Sequence, residues 1–242
     1  MLLVERGLAE SRQKAQAMIL AGEIAVDGRK AEKAGVNVAD SARIEVHSRL
    51  QKFVGRGGFK LEGALADFQV SVQGRICLDV GASTGGFTDC LLQNGAKQVY
   101  AVDVNTDQLA WKLRDNPGVV RIKKNARELA ATDIAEPVEL VVADVSFISV
   151  KKILPGAYAC AARGADFLIL VKPQFELEHD DVGKGGIVRD PKLHELAINS
   201  VRDAATALGL TILAVAPSRL PGAKGNQEYF LHARKPPKVE SQ

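Results

Sequence analysis

From residue 59 onward, apolar residues come in short runs rather than in long amphipathic stripes. The runs lie at 76–80, 99–104, 119–122, 140–144, 167–172, 210–216 and 228–233. Each is four to seven residues long and rich in valine, leucine, isoleucine or alanine. Short runs that are apolar at nearly every position mark strands buried on both faces. Helical stretches separate the first five. The pattern therefore predicts an α/β domain on a doubly wound, largely parallel sheet. Only a loop separates the last two runs, which are expected to form an antiparallel hairpin at one edge.

Residues 1–47 have a different rhythm. Ser11 is placed to cap a helix from Arg12 to Ile19, with Ala15, Met18 and Ile19 on one side and Ala21-Gly22 at its end. Ile24-Ala25-Val26 predicts a short strand and Asp27-Gly28 a hairpin turn. Val36 to Val38 and Ile44-Glu45-Val46 predict further short strands around Asp40. The expected organisation is a small α+β domain over 1–47 and a linker over 48–58 containing the hinge-like Gly55-Arg56-Gly57-Gly58. The α/β domain follows over 59–236, then a polar tail over 237–242.

Composition narrows the classes. The chain has 242 residues, 46% hydrophobic and 25% charged, which is ordinary for a soluble protein and enough for a full core. The formal net charge of +3 permits a nucleic-acid partner without requiring one. Cys77, Cys90 and Cys160 are odd in number and form no CxxC. That argues against a disulfide framework or a zinc site and points to a reducing cytosol. No apolar run is long enough to span a membrane, and Glu5-Arg6 bring charge too early for a secretory signal. A cytoplasmic monomer without a metal is expected.

The chemistry begins at Asp79-Val80-Gly81-Ala82-Ser83-Thr84-Gly85-Gly86-Phe87, which follows an apolar strand and opens a helix. Three sites share this form. A dinucleotide fingerprint needs G-x-G-x-x-G, but Ser83 stands where the second glycine belongs. A hydrolase elbow fits literally, since Gly81-Ala82-Ser83-Thr84-Gly85 reads G-x-S-x-G. The strand before it, however, is the first of its sheet, leaving little chain for an oxyanion loop. An S-adenosylmethionine pocket uses the segment best. Asp79 can accept from the methionine ammonium, directly or through water. The loop Gly81, Ala82, Ser83, Gly85, Gly86 and Phe87 packs on the amino-acid moiety, and Asp103 takes the ribose hydroxyls at the end of the next strand. Asn125 is assigned to the same pocket. Taken alone, Asp103 also reads as a helix cap.

Four charged residues stand at unusual places. Lys60 follows the glycine run and begins a helix. Asp144 and Lys172 end apolar strands, and Glu228 opens the last one. Charge at the ends of buried strands needs a partner, because unpaired burial is costly. Singly, each reads equally well as a structural ion pair; their joint placement around a methyl-donor pocket is harder to reach by chance.

These residues carry a resemblance. The chain resembles the TlyA-type proteins, often labelled hemolysins and grouped with the FtsJ-like (RrmJ-like) rRNA methyltransferases. The matching segments are Gly55-Arg56-Gly57-Gly58-Phe59-Lys60-Leu61-Glu62, the stretch from Asp79 through Thr88-Asp89, Asp144-Val145-Ser146-Phe147-Ile148-Ser149 and Leu170-Val171-Lys172-Pro173-Gln174-Phe175-Glu176. Gly183-Lys184-Gly185-Gly186 and Gly225-Asn226-Gln227-Glu228 match as well. Residues 1–47 resemble an S4 RNA-binding domain through Ser11-Arg12, Ala15, Ile19, Gly22, Val26, Asp27-Gly28 and Asp40, without the Arg-Leu-Asp-like stretch that usually opens one. The resemblance implies a Rossmann-like methyltransferase fold, S-adenosylmethionine as donor, and ribosomal RNA within ribosomal subunits as substrate. The product is a 2′-O-methylated cytidine. It implies Lys60, Asp144, Lys172 and Glu228 as the catalytic tetrad, with Asp144 also touching the cofactor.

The chemistry is coherent. A ribose hydroxyl is a poor nucleophile, and Lys172 can act on it as a base or as an ammonium that stabilises the alkoxide. A sulfonium leaving group needs no metal. Arg6, Arg12, Lys14, Arg29 and Lys30, with Arg56 at the glycine run, are the candidate phosphate contacts; a solvated basic surface is the alternative. Lys184, Arg189, Arg219 and Lys224 are placed to flank the site. Eight phenylalanines, three tyrosines and one tryptophan give few stacking platforms, which favours folded RNA over a free strand. Phe147 and Phe175 follow the strands that end at Asp144 and Lys172; contact with cofactor or base is one reading of each, and packing in the core is the favoured one. His47, His179, His194 and His232 lack metal-ligand spacing. Two rivals are a membrane-lytic protein, for which no long amphipathic helix speaks, and an RNA-binding assembly factor with a dead methyltransferase fold.

Overall fold

The structure, a computed structural model, describes residues 2–9, 11–20, 24–31, 33–46, 52–183, 185–222 and 225–237. Ala21, Gly22, His47, Lys184, Lys224, linker residues 48–51 and tail residues 238–242 lie outside the described residues, as do the side chains of Lys30 and His179. The chain divides into two compact units, Met1–Lys52 and Phe53–Gln242.

The first unit holds α1 (Leu2–Glu5), α2 (Arg12–Leu20), β1 (Ile24–Val26), β2 (Arg29–Lys30) and β3 (Ile44–Val46). Ser11 Oγ accepts from the Lys14 amide at 3.2 Å, as a helix cap should. Asp27 and Gly28 both have positive φ, 49° and 75°, the form that turns β1 into β2. The strands pair antiparallel in the order β2-β1-β3. Leu3, Ala9, Ala15, Met18 and Ile24 form the core. The strand expected at 36–38 is absent: Gly35 turns the chain at φ 91° and Val36 is 64% exposed. The four residues of α1 are too few to show a period.

The second unit runs α3 (Gly57–Asp67), β4 (Ile76–Val80), α4 (Gly86–Gln93), β5 (Gln98–Asp103), α5 (Trp111–Arg114), β6 (Val119–Lys123) and β7 (Val138–Ala143). Then come α6 (Leu154–Cys160), β8 (Ala161–Val171), α7 (Pro173–Glu176), α8 (Pro191–Ala207), β9 (Thr211–Pro217) and β10 (Tyr229–Arg234). One seven-stranded sheet has the order β6-β5-β4-β7-β8-β10-β9. The pairs from β6 to β8 are parallel, while β10 is antiparallel to both neighbours.

One expectation holds and one changes here. The last two strands form an antiparallel hairpin at one edge of the sheet, with β10 inside against β8 and β9 outermost. The reason is burial: Phe230 to Ala233 are all buried, whereas no residue of β9 is fully buried. The inner place goes to the strand apolar on both faces. Between β6 and β7 there are two 3₁₀ turns, Ala126–Glu128 and Ala131–Asp133, instead of an α-helix. Asn125 Oδ1 takes the Arg127 amide and Asp133 Oδ2 the Ala130 amide, so short polar side chains compete with helical bonding.

The helix carrying Lys60 starts at Gly57, within the stretch read as linker. Gly58 serves close approach there, since a Cβ would strike the Phe53 ring. Helices α3 and α4 cover one sheet face through Leu61, Ala64, Leu65, Phe87, Cys90 and Leu91. The other face is covered by Leu154, Ala157 and Cys160 of α6 and Val201 and Ala205 of α8.

Candidate active site

Strand alternation decides where the charged residues point. In β4, Cys77 packs on the α3/α4 face, so Asp79 falls on that face too. Leu140 and Val142 of β7 carry the same face forward to Asp144, and Leu168 and Leu170 of β8 carry it to Lys172. In β10, Phe230 shares the face, which sends Glu228 there as well. The register Tyr229↔Val171, continued by one residue, sets Glu228 opposite Lys172. These carboxyl ends of parallel strands are where open α/β sheets hold ligands.

The charges form two pairs. Lys60 Nζ, on the first turns of α3, donates to Glu228 Oε2 at 2.5 Å, and both residues are buried. Lys172 Nζ lies 2.5 Å from Asp144 Oδ1, off the direction of a hydrogen bond, and donates to Ser146 Oγ at 2.8 Å. Each buried ammonium thus meets a carboxylate, which removes most of the cost of burying it.

The glycine loop stands beside these pairs. Gly81 has φ 89°, and a Cβ there would strike the Asp144 carbonyl, so only glycine fits. Ser83 is also left-handed, at φ 48°, and its amide donates to Asp103 Oδ2 at 2.9 Å. The Asn105 amide donates to Asp103 Oδ1 at 3.0 Å. Asp103 therefore clamps the loop and caps the turn after β5.

Two cavities open on the loop. One, of about 200 Å³, is lined by Gly57, Gly81, Ala82, Ser83, Thr84, Gly86 and Phe87 together with Asp144, Ser146 and Lys172. The other, of about 550 Å³, is lined by Asp103, Asn125, Gln108, Val104 and Phe147 and shares Gly81, Ser83, Asp144 and Ser146 with the first.

Asp79 is wholly buried and lines neither cavity. Its Oδ2 accepts from Thr88 Oγ1 at 2.6 Å, and its Oδ1 has no partner. Burial pushes the carboxyl up to about 7, against the Thr88 hydrogen bond. Gly85, at φ 94°, begins α4 and lies tight against Leu113 and Leu109 rather than on the cavity.

Several neighbours had escaped the sequence reading. Ser146 and Thr88 sit inside segments already singled out, but nothing in their spacing assigns them to Lys172 and Asp79. Gly57 and Thr84 gave no signal beyond the glycine run. Glu176 accepts from Ser149 Oγ at 2.6 Å and the Val150 amide at 2.7 Å, which fixes the end of the loop carrying Ser146 and Phe147. Phe147 corrects an expectation: it is 88% exposed, at φ 66°, on the lip of the larger cavity. Phe175 is half-buried, 5.4 Å from it.

The candidate RNA contacts divide. Arg12, Lys14 and Arg29 are exposed. Arg6 donates to the carbonyls of Ala42 and Asp40 and so ties its own unit together. Arg56, in the second unit, donates to the Pro221 carbonyl at 3.5 Å. Arg219 pairs with Asp67 at 2.5 Å.

Among the described residues the hydrolase alternative finds no free histidine as base. His194 bonds Tyr229 Oη and the Val188 carbonyl, and His232 bonds Asp166. A cysteine nucleophile fares no better: all three thiols are buried, and burial pushes Cys77 to about 12 and Cys160 to about 11.

A parallel sheet with an antiparallel strand set inside it, and a glycine-loop cavity joined to a lysine–carboxylate pair, define a Rossmann-like methyltransferase domain. The family model of FtsJ-like methyltransferases matches residues 53–235, and that of the S4 domain matches residues 1–44. The chain belongs to the FtsJ-like methyltransferase family and carries an S4 domain ahead of that domain. It is 48% identical over 234 residues to the 16S/23S rRNA (cytidine-2'-O)-methyltransferase TlyA of Mycobacterium tuberculosis, covering 96% of this chain and 87% of that one. It is 44% identical over 228 residues to Hemolysin A of Brachyspira hyodysenteriae, covering 93% and 95%. A solved structure bearing a hemolysin name, from Streptococcus thermophilus, superposes with a TM-score of 0.78 at 38% identity, covering 99% of this chain and 89% of that one.

Proposed function

We propose that the protein methylates the 2′-hydroxyl of a cytidine in ribosomal RNA, with S-adenosylmethionine as donor, in the cytoplasm. One observation carries the reading: a single cavity is lined both by the glycine loop and by Asp144, Ser146 and Lys172. The printed name of the Mycobacterium tuberculosis relative agrees with it.

The residues present suit the donor. Gly81, Ala82 and Ser83 line a cavity suited to an amino-acid moiety, and Asp79 keeps an unpartnered oxygen behind the loop. Asp103 and Asn125 line the larger cavity and suit ribose hydroxyls. Each Asp103 oxygen already takes one amide, and a carboxylate oxygen can accept a second donor. When bound, S-adenosylmethionine supplies a methyl group already activated as a sulfonium.

Lys172 does the work on the acceptor. Set beside Asp144, it is an ammonium with three donors and no acceptor. It therefore steadies negative charge growing on the 2′-oxygen, and Asp144 and Ser146 hold its aim. Asp144 and Glu228 are the groups able to take the proton. Lys60 holds Glu228 in place. The exposed Phe147 ring offers a face to a base of the substrate.

The hemolysin names find no counterpart in the helices. Among the described residues no helix is long and apolar enough to cross a membrane. The apolar side of α8, the longest described helix, packs on the sheet through Val201 and Ala205.

The test is transfer of labelled methyl groups to intact ribosomal subunits from a strain lacking this protein, followed by mapping of the label. Label on the ribose of one or more cytidines is expected. Cofactor binding without any labelled ribosomal RNA would overturn the reading.

A further inference from the structure

Two glycine-rich segments remain without a task, 183–186 and 225–227. A single buried side chain joins them. Asn226 is 3% exposed. Its Oδ1 accepts from the Val188 amide at 3.0 Å and its Nδ2 donates to the Gly186 carbonyl at 2.7 Å. Its own carbonyl accepts from the Gly222 amide at 2.8 Å. Two residues on stands Glu228, whose carbonyl takes the Ser218 amide at 2.8 Å. The Val188 peptide is held from its other end by His194 of α8, whose Nε2 donates to the Val188 carbonyl at 3.0 Å. That role fixes the tautomer, so Nδ1 accepts from Tyr229 Oη at 2.9 Å.

The pinned segment is a wall. Gly185 and Gly186 are both left-handed, at φ 83° and 78°, and Gly183 pairs with Ile187 across the turn. Gly183, Gly185 and Gly186 line a groove of about 880 Å³ whose other side carries Phe175 and Lys152. Phe147 and Ile148 line both this groove and the larger cavity at the glycine loop, so groove and site adjoin across these two residues. Rings and a cation beside a methyl-transfer site suit one nucleotide of a single-stranded RNA segment. Backbone glycines cannot fix such a wall alone, because they lose the most entropy on ordering.

We infer that Asn226 is a positioning residue for the RNA substrate: it holds the groove wall at Gly186 and Val188 and the approach to Glu228 in one register. The inference rests on the RNA methyl-transfer reading above. It assigns Asn226 no contact with cofactor or reacting atoms.

The experiment compares the full chain with Asn226→Ala and Asn226→Asp. Alanine removes both pins. Aspartate keeps the acceptor for Val188 and turns the donor at Gly186 into a repelling oxygen. Labelled methyl transfer to unmodified ribosomal subunits should show KM raised about tenfold, with a smaller change in kcat. Cofactor affinity by calorimetry and the melting temperature should stay near wild type. Amide exchange at Val188 should quicken in Asn226→Ala. His194→Gln, which disturbs the second pin, should raise KM less. Wild-type KM in both Asn226 variants, or cofactor affinity falling in step with activity, would overturn the inference. If wild type labels no ribosomal RNA, the substrate reading fails. Exchange at Val188 then decides on the pin, unchanged exchange refuting it.

Discussion

Helix α3 lies between two clusters of buried charge on the same sheet face, and the two follow opposite rules. At its first turns Lys60 meets Glu228, near the Lys172–Asp144 pair, and the count is one cation to each carboxylate. Just past its other end the Phe68 ring lies 5.2 Å from His232, over Asp166. There a single carboxylate takes Arg75 at 2.8 Å, His232 at 2.9 Å and Arg234 at 2.8 Å. Burial pushes the Asp166 carboxyl up, and hydrogen bonds from His232, Arg75 and Arg234 override it, holding it well below the usual range. The Asp166 cluster is saturated and borders none of the cavities described above. The other borders a cavity and keeps an unpartnered Asp79 oxygen behind its loop. Buried charge alone therefore does not mark a site here; buried charge with unspent bonding capacity does.

The sharpest way to break the contrast is Lys172→Ala. Methyl transfer should fall about 10³-fold, the loss expected when a charge stabiliser of the reacting oxygen goes, while calorimetry shows cofactor still bound. Equal loss of cofactor affinity would make Lys172 a structural ion like those around Asp166.

Asp166→Asn should do the converse. Two arginines and His232 lose their carboxylate, at a cost of about 3 kcal/mol, yet methyl transfer well below the melting temperature should persist. Because the native carboxyl sits below its unfolded value, its stabilisation is present above about pH 4 and lost as pH falls further. Melts of wild type and variant should therefore converge in acid and separate above that point. A constant gap would remove the ionic explanation.

Asp79 has the opposite sign. Its native carboxyl is raised to about 7, so the proton-bound form favours folding, and this contribution fades as pH rises from about 4 through 7. Asp79→Asn, which is neutral throughout, should gain on wild type over that window in thermal melts without cofactor. Parallel curves would show that the carboxyl is charged at all these pH values.

The smallest effect belongs to Asp103→Ala. Losing the clamp on the Ser83 and Asn105 amides should weaken cofactor affinity roughly tenfold by calorimetry and leave the RNA KM alone.

The strands were legible because buried parallel strands must be apolar throughout: β4 at 76–80 matches to the residue, and β5 and β7 to within two. Their order was not, since periodicity reports burial and not pairing. Nothing in 228–233 says that β10 enters between β8 and β9. At the site, Asp79, Asp144, Lys172 and Glu228 could be singled out because charge is out of place at the end of an apolar strand. Their partners could not. Ser146 and Thr88 are ordinary residues made important by folding. Phe147 was misread because phenylalanine usually packs inside; a left-handed φ turned it outward. Arg6 looked like a phosphate contact because its two carbonyl partners lie more than thirty residues away.

The inward place of β10 also sets a timetable. Lys60 and Glu228 are 168 residues apart, and the strand that brings Glu228 is made after every other strand of the sheet. Until it docks, β9 has no neighbour in the sheet and the Lys60 ammonium has no carboxylate. Such distant pairings close late, because the chain must first surrender the freedom of everything between them. A nascent or prematurely terminated chain would already own its glycine loop while lacking Glu228, the partner of Lys60.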